Sequence, residues 1–273
     1  MTSDIFIEKA FAGKPLDHCL VIDAHGHIGC EDASFPFVNP SLDRIVASMD
    51  RMGIDLFCVS SLMSIYGDAG RGNREVEEAV AEYPGRFFGY MCADIGYPER
   101  IIPEMERSLA GGVRGVKVWS RGARPGLGYD HPNYQPVFEF AHAHSLPVLA
   151  HTWGGELDEL KPSIERFGNI NWMLAHTASA DKPKYIQFAR EYGNVYLELA
   201  LSSCLRGLVE ELVSAGLVDK TIWGSDATFI GASQQIGRVL FAQIPPDDKE
   251  KILGLNARRA LRLPVAPRKN SVS

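Results

Sequence analysis

Eight short apolar runs, each followed by an amphipathic stretch, constrain the fold of this 273-residue chain more than any other feature. The first run covers 20–22 and enters Asp23-Ala24-His25-Gly26-His27. The others cover 55–62, 86–93, 113–119, 147–151, 171–176, 195–201 and 221–226. Between them, helical spacing of apolar residues predicts helices over 41–52, 73–83, 98–110, 134–144, 156–167, 182–192 and 204–215, with further helical segments over 233–242, 246–253 and 257–261. The stretch with Tyr66 and Gly70-Arg71-Gly72 is expected to be a loop. No Gly/Ser-rich linker interrupts the alternation, so one parallel α/β domain over 1–273 is expected, with a lead-in over 1–18 and C-terminal helices over 233–263. A closed (β/α)8 TIM barrel fits the count, with an open doubly wound sheet as the alternative. Neither a strand-led GxGxxG nor a GxxxxGK[ST] is present, which weakens nucleotide-binding versions of the open sheet.

The polar residues collect where such runs end. His25 and His27 close the first strand, His151 the fifth, His176 the sixth and Asp226 the eighth. In a barrel all strand carboxyl ends meet on one rim, where catalytic groups gather. Side chains alternate along a strand, so Asp23, His25 and His27 are expected on one face. Three neutral imidazoles and one carboxylate around a divalent cation make a site of charge +1, which a hydroxide neutralises. Zinc accepts such N and O ligands and lowers the pKa of water to about 7. Each residue also has a plainer reading. Asp226 suits a helix cap or turn, His151 and His176 suit satisfied core histidines, and Asp23 suits a buried acid or a group orienting a histidine. His18, His142 and His144 are expected to be structural, and His131 lies in a long loop between solvent and substrate.

Composition closes off other classes. A net charge of −6 with no Lys/Arg-rich run speaks against a nucleic-acid partner. No apolar run approaches the roughly 20 residues that span a bilayer. Five scattered cysteines without a CxxC, namely Cys19, Cys30, Cys58, Cys92 and Cys204, suit a reducing compartment. With no signal-peptide pattern at the start, a cytoplasmic location is expected. A homo-oligomer is left open.

The quoted motifs resemble the amidohydrolase superfamily, and within it the group that includes aminocarboxymuconate-semialdehyde decarboxylase. The resemblance rests on Asp23-Ala24-His25-Gly26-His27, Gly115-Val116-Lys117, Pro147-Val148-Leu149-Ala150-His151, Ala175-His176, Trp223-Gly224-Ser225-Asp226 and the closing Asn256-Ala257-Arg258-Arg259-Ala260-Leu261. It implies one divalent ion held by His25, His27, His151 and Asp226. Zinc is the expected ion, with manganese or iron(II) as alternatives. It also implies that His176 orients substrate or stabilises charge, while Asp226 takes a proton from the attacking water. The chain departs from the pattern at Ala227-Thr228-Phe229, where relatives often carry an aromatic residue and proline, which alters a pocket wall.

Lys117 is expected to position substrate or to be a buried cation paired with Glu198. In some binuclear relatives a lysine there is carbamylated. Arg114 is expected to be solvated, whereas Arg121 and Arg124 follow the fourth strand's carboxyl end and can grip a carboxylate. Tyr66, Trp119, Trp153 and Phe229 are candidate apolar walls. The leading expectation is a metal-dependent hydrolase of a small anionic substrate. A non-oxidative decarboxylase on the same fold is the alternative, followed by an inactive barrel that only binds.

Overall fold

The computed structural model describes residues 4–29, 41–120, 126–153, 155–203 and 205–264. Arg121, Arg124, Cys30 and Cys204 lie outside the described residues. Eight parallel strands follow one another in chain order: β1 (Ile22–Ile28), β2 (Leu56–Ser61), β3 (Phe87–Met91), β4 (Gly115–Val118), β5 (Val148–His151), β6 (Trp172–Ala175), β7 (Val195–Glu198) and β8 (Thr221–Ile222). The segment after β8 returns to β1 and closes a (β/α)8 barrel. Ala24 N–H donates to Trp223 O (3.2 Å), and Asp226 N–H donates to His25 O (2.7 Å). The strands are buried on both faces, which is why they read as near-continuous apolar runs. Inside the barrel Ile22, Ala24, Cys58, Tyr90, Met173 and Ile222 pack together over Ala257, Ala260 and Leu261, at the end opposite the strands' carboxyl termini. Among the described residues no helix is long and apolar enough to cross a membrane.

Packing adds one helix to the lead-in and corrects one expectation. The 1–18 lead-in contains a helix, Ile5–Ala12, capped by Asp4 and ended by Gly13 at φ +62°. It is pinned by the buried Lys249, whose Nζ donates to Asp4 Oδ2 and to Leu240 O, both at 2.6 Å. The stretch expected to be a loop is helical, as Leu62–Tyr66 followed by Ala69–Glu82, and Asp68 caps the second helix by accepting from Arg71 N–H. Gly72 marks close approach and not a turn: a Cβ there would sit 2.2 Å from Ser64 N. Elsewhere the helices fall where expected, within a few residues, except that the one anticipated over 204–215 forms only at Leu208–Ser214.

The β1 strand departs from simple alternation, and the histidines depend on it. From Asp23 to Gly26 β1 advances three residues while its partner advances two, from Phe57 to Val59. This bulge inserts one extra residue and flips everything after it. Ile22 and Ala24 face the barrel interior, while Asp23 faces the outer layer beside Ile45, Met49 and Phe57. After the bulge Gly26 takes the outer face, where a Cβ would lie 2.0 Å from the Phe57 ring, and His25 and His27 turn inward. Asp23 therefore does not share the histidines' face, contrary to the alternation argument.

Candidate metal centre and active site

Donor atoms converge at the carboxyl end of the barrel. His27 Nε2 lies 3.1 Å and His25 Nε2 3.5 Å from Asp226 Oδ1. Among the described residues, His25, His27 and Asp226 form one group whose ligand atoms all lie within 4.8 Å of one another; His25, His176 and Glu198 form a second. An ion with ligands at about 2.1 Å in tetrahedral array needs donors roughly 3.4 Å apart, which the two Asp226 distances approach. The far nitrogens are held as such ligands require. His25 Nδ1 donates to Glu198 Oε2 at 2.9 Å, which leaves the Nε2 lone pair facing the site. His27 Nδ1 lies 3.1 Å from Ser60 Oγ. The donor set fits one divalent cation.

A second pair of imidazoles flanks this group. His176 Nδ1 donates to Ala200 O at 2.7 Å, so in the neutral ring Nε2 is an acceptor. The 3.1 Å contact between that Nε2 and His151 Nδ1 is then a bond donated by His151, which leaves His151 Nε2 with its lone pair unprotonated. His151 stands with His176, outside the close triad of His25, His27 and Asp226. His176 and Asp226 both lie just past strand ends in left-handed backbone, at φ +62° and +57°. Such conformations cost about 1–3 kcal/mol at non-glycine residues and cluster at functional sites.

Burial sets the charge states. It pushes the pKa of His25, His27, His151 and His176 down, with Lys117 adding repulsion at each, so the imidazoles rest neutral. Burial also favours protonated Asp226, but the adjoining His25 and His27, with His176 behind them, outweigh it and hold its carboxyl well below the usual carboxylate range. Neutral imidazoles around an ionised carboxylate are the protonation states that a cation needs.

Two residues stand differently from their sequence reading. Lys117 is buried, and its Nζ lies 2.9 Å from His25 Nε2, so it meets the histidine directly and Glu198 only across it. Burial lowers its pKa to about 8 against the pull of Asp226 and Glu198. Glu198, read from the sequence as a structural partner of Lys117, organises the site. Its Oε2 accepts from His25 Nδ1 and, at 3.4 Å, from His176 N–H, while Oε1 accepts from Ala200 N–H at 2.6 Å. The signal was present as an acid embedded in the apolar run Val195-Tyr196-Leu197-Glu198-Leu199.

Above the donors lies a cavity of about 280 Å³. His27, Lys117, His151, His176 and Asp226 form its floor, and Tyr66, Trp119, Trp153 and Phe229 line it. Trp119 meets Tyr66 edge to face at 5.0 Å, and Trp153 stacks on His151 at 6.0 Å with the planes 10° apart. Leu62, Ile65, Ser202 and Ile230 also line it without having been singled out in the sequence. His131 instead caps the turn Pro132–Tyr134 by accepting from Asn133 N–H. Arg114 donates to Leu109 O and Val113 O away from the site. His18 packs against Phe6, and His142 accepts from Asn169 N–H.

A family model described as amidohydrolase matches residues 22–263. No curated protein matches the chain by sequence. Solved structures share its fold. A dihydroxybenzoic acid decarboxylase from Polaromonas sp. JS666, with bound manganese and the inhibitor 2-nitroresorcinol, superposes with a TM-score of 0.71 at 19% identity, over 91% of this chain and 98% of that one. The 2,6-dihydroxybenzoate decarboxylase from Rhizobium gives 0.69 at 17% identity, over 90% and 98%. The 5-carboxyvanillate decarboxylase from Sphingomonas paucimobilis gives 0.70 at 17% identity, over 89% and 99%.

Proposed function

The chain belongs to the amidohydrolase family, and on that premise we propose that it is a divalent-metal-dependent decarboxylase of a small aromatic or unsaturated acid. The observation that carries this reading is the aromatic-walled cavity set directly over the donor residues. Flat walls at Trp119, Trp153 and Phe229 suit a planar substrate, and Lys117 supplies a buried cation for an anionic oxygen. Hydrolysis, which the sequence placed first, uses the same donors. The balance moves to decarboxylation because structural neighbours across most of the chain act on dihydroxybenzoate and carboxyvanillate.

His25, His27 and Asp226, with His151 as the fourth, would hold the cation, which supplies Lewis acidity and fixed positive charge. Manganese, present in the Polaromonas neighbour, is as fitting an ion as zinc. Lys117 holds an oxygen of the acid and the aromatic walls orient its ring. His176 delivers the proton. Its burial disfavours the imidazolium, the bound anion brings protonation within reach, and Nε2, once it gives up the bond from His151, carries the proton as a general acid beside the substrate. The proton bonds to the carbon bearing the carboxylate, using a π pair of the substrate. The electron pair of the breaking C–C bond restores the π system as CO₂ leaves, and His176 returns to neutral. Because the carboxylate charge disappears as CO₂ forms, the apolar walls favour the departing state over the bound anion.

The test is CO₂ release from a panel of hydroxybenzoic and unsaturated acids by metal-loaded protein. Activity that disappears on chelation and returns with manganese or zinc supports the reading. Turnover of lactones or amides, with no acid decarboxylated, would return hydrolysis to first place.

A further inference from the structure

A second, smaller cavity adjoins the first and shares Tyr66, Lys117 and Trp119 with it, so the Tyr66–Trp119 pair stands at the boundary between the two. Its volume is about 100 Å³, room for roughly three water-sized groups. Ser64, Cys92, Ala93, Asp94 and Val137 form its far walls. It cannot take an aromatic ring, but it can take what a ring carries.

The wall chemistry narrows the occupant. Ser64 Oγ already donates to Ser61 O at 2.6 Å and lies 3.2 Å from Cys92 Sγ. Burial keeps the Cys92 thiol protonated, raising its pKa to about 11. Asp94, whose Oδ1 accepts from Gly96 N–H, also lines the cavity, so its lining already holds one acid beside Lys117. A second carboxylate would put two acids into a space of about 100 Å³, whereas a neutral substituent with oxygen lone pairs and a small apolar group suits a lining that holds Lys117 together with Ala93 and Val137.

We propose that this side cavity is a specificity subsite that receives one small neutral oxygen substituent, such as a methoxy or hydroxymethyl group, on the ring of the acid. The inference rests on the aromatic-acid reading of the main cavity and names the substrate class more narrowly. Lys117, which lines both cavities, then meets the polar edge of the ligand, and the Tyr66–Trp119 pair selects where on the ring the substituent sits. Ala93 lines only the side cavity and is absent from the main one, so it offers a handle that leaves the donor residues untouched.

The experiment uses metal-loaded protein and 2-hydroxybenzoate as the parent ligand, with each ring-methoxy isomer and each ring-carboxy isomer beside it. Binding is read by calorimetry or by quenching of the pocket tryptophans, and CO₂ is scored separately. At least one methoxy isomer is expected to bind tenfold or more tightly than the parent, and no carboxy isomer is expected to gain. Ala93→Leu, which fills the cavity, is expected to bring the favoured isomer within threefold of the parent while the parent's own affinity holds. If Ala93→Leu fails to fold, Ala93→Val serves as the smaller fill, and the wild-type comparison of isomers stands by itself. Equal binding of all methoxy isomers and the parent, or a preference that survives the filled cavity, overturns the subsite whether or not CO₂ is released. A preference that is lost on filling, with no CO₂ from any acid, keeps the subsite and refutes decarboxylation.

Discussion

Replacing Glu198 by Gln leaves the volume of the site unchanged and removes from its centre a carboxyl group whose pKa burial raises from 4.5 to about 7, and which is charged above that pH. The carboxylate accepts from Ala200 N–H at 2.6 Å, from His25 Nδ1 at 2.9 Å and from His176 N–H at 3.4 Å. An amide cannot serve all three. Its oxygen goes to the shortest bond, at Ala200, and its NH₂ then confronts the Nδ1–H of His25. Relief comes if His25 moves its proton to Nε2, which hides the lone pair that faces the donor group. Converting a charge-assisted bond to a neutral one costs roughly 1–1.5 kcal/mol, about tenfold in affinity, and the tautomer change adds to it. Losses of 10–100-fold are typical when such supporting partners are removed. Competition with a chromophoric chelator should therefore show metal affinity falling 10–100-fold, with an unchanged circular dichroism spectrum. The imidazole ¹⁵N shifts of metal-free protein should show His25 changing tautomer. Metal affinity within twofold of wild type, with His25 still protonated at Nδ1, would show that Glu198 does not set the His25 tautomer.

Other expectations follow from the same geometry. His176→Asn should retain about one ion per chain while kcat falls roughly 10²-fold or more; loss of the metal would make His176 a ligand. Lys117→Met should raise KM for the anionic acid about tenfold or more, the effect of losing a charged hydrogen bond, measured by steady-state kinetics with metal content checked. Gly26→Ala should destabilise the fold by about 1–3 kcal/mol in urea titration, because its Cβ meets the Phe57 ring, and Phe57→Leu in the same chain should recover part of the loss. Asp23 concerns pH: burial raises its carboxyl from 3.8 to about 7, against the bonds from Ser225, so the folded state keeps a proton that the unfolded chain releases. That contribution is complete below about pH 4 and is lost as pH rises through 7, up to roughly 4 kcal/mol. Chelated Asp23→Asn should therefore lose less stability than wild type between pH 4.5 and 7.5, and parallel profiles would contradict the assignment.

Much of this architecture was legible because parallel strands buried on both faces leave apolar runs whose ends can be counted. The strand ends then bring His25, His27, His151, His176 and Asp226 to one rim by topology alone. What was not legible depended on contacts distant in sequence. The β1 bulge is set by pairing with β2, and without it the inward pointing of His25 and His27 cannot be obtained from alternation. Glu198 looked like an acid awaiting a lysine, and only the barrel's closure brings it to His25 Nδ1. Gly72 looked like a loop residue because a glycine needed for helix–helix approach and one needed for a turn are the same letter.

Loss of CO₂ with protonation of the carbon left behind is decided by incubating metal-loaded protein with its preferred acid in D₂O and, in parallel, in ¹⁸O-water. Decarboxylation gives one CO₂ per product molecule, one deuterium on the vacated carbon, and no solvent ¹⁸O in the organic product. Product carrying ¹⁸O, without CO₂ and without deuterium on carbon, would contradict it and establish hydrolysis instead.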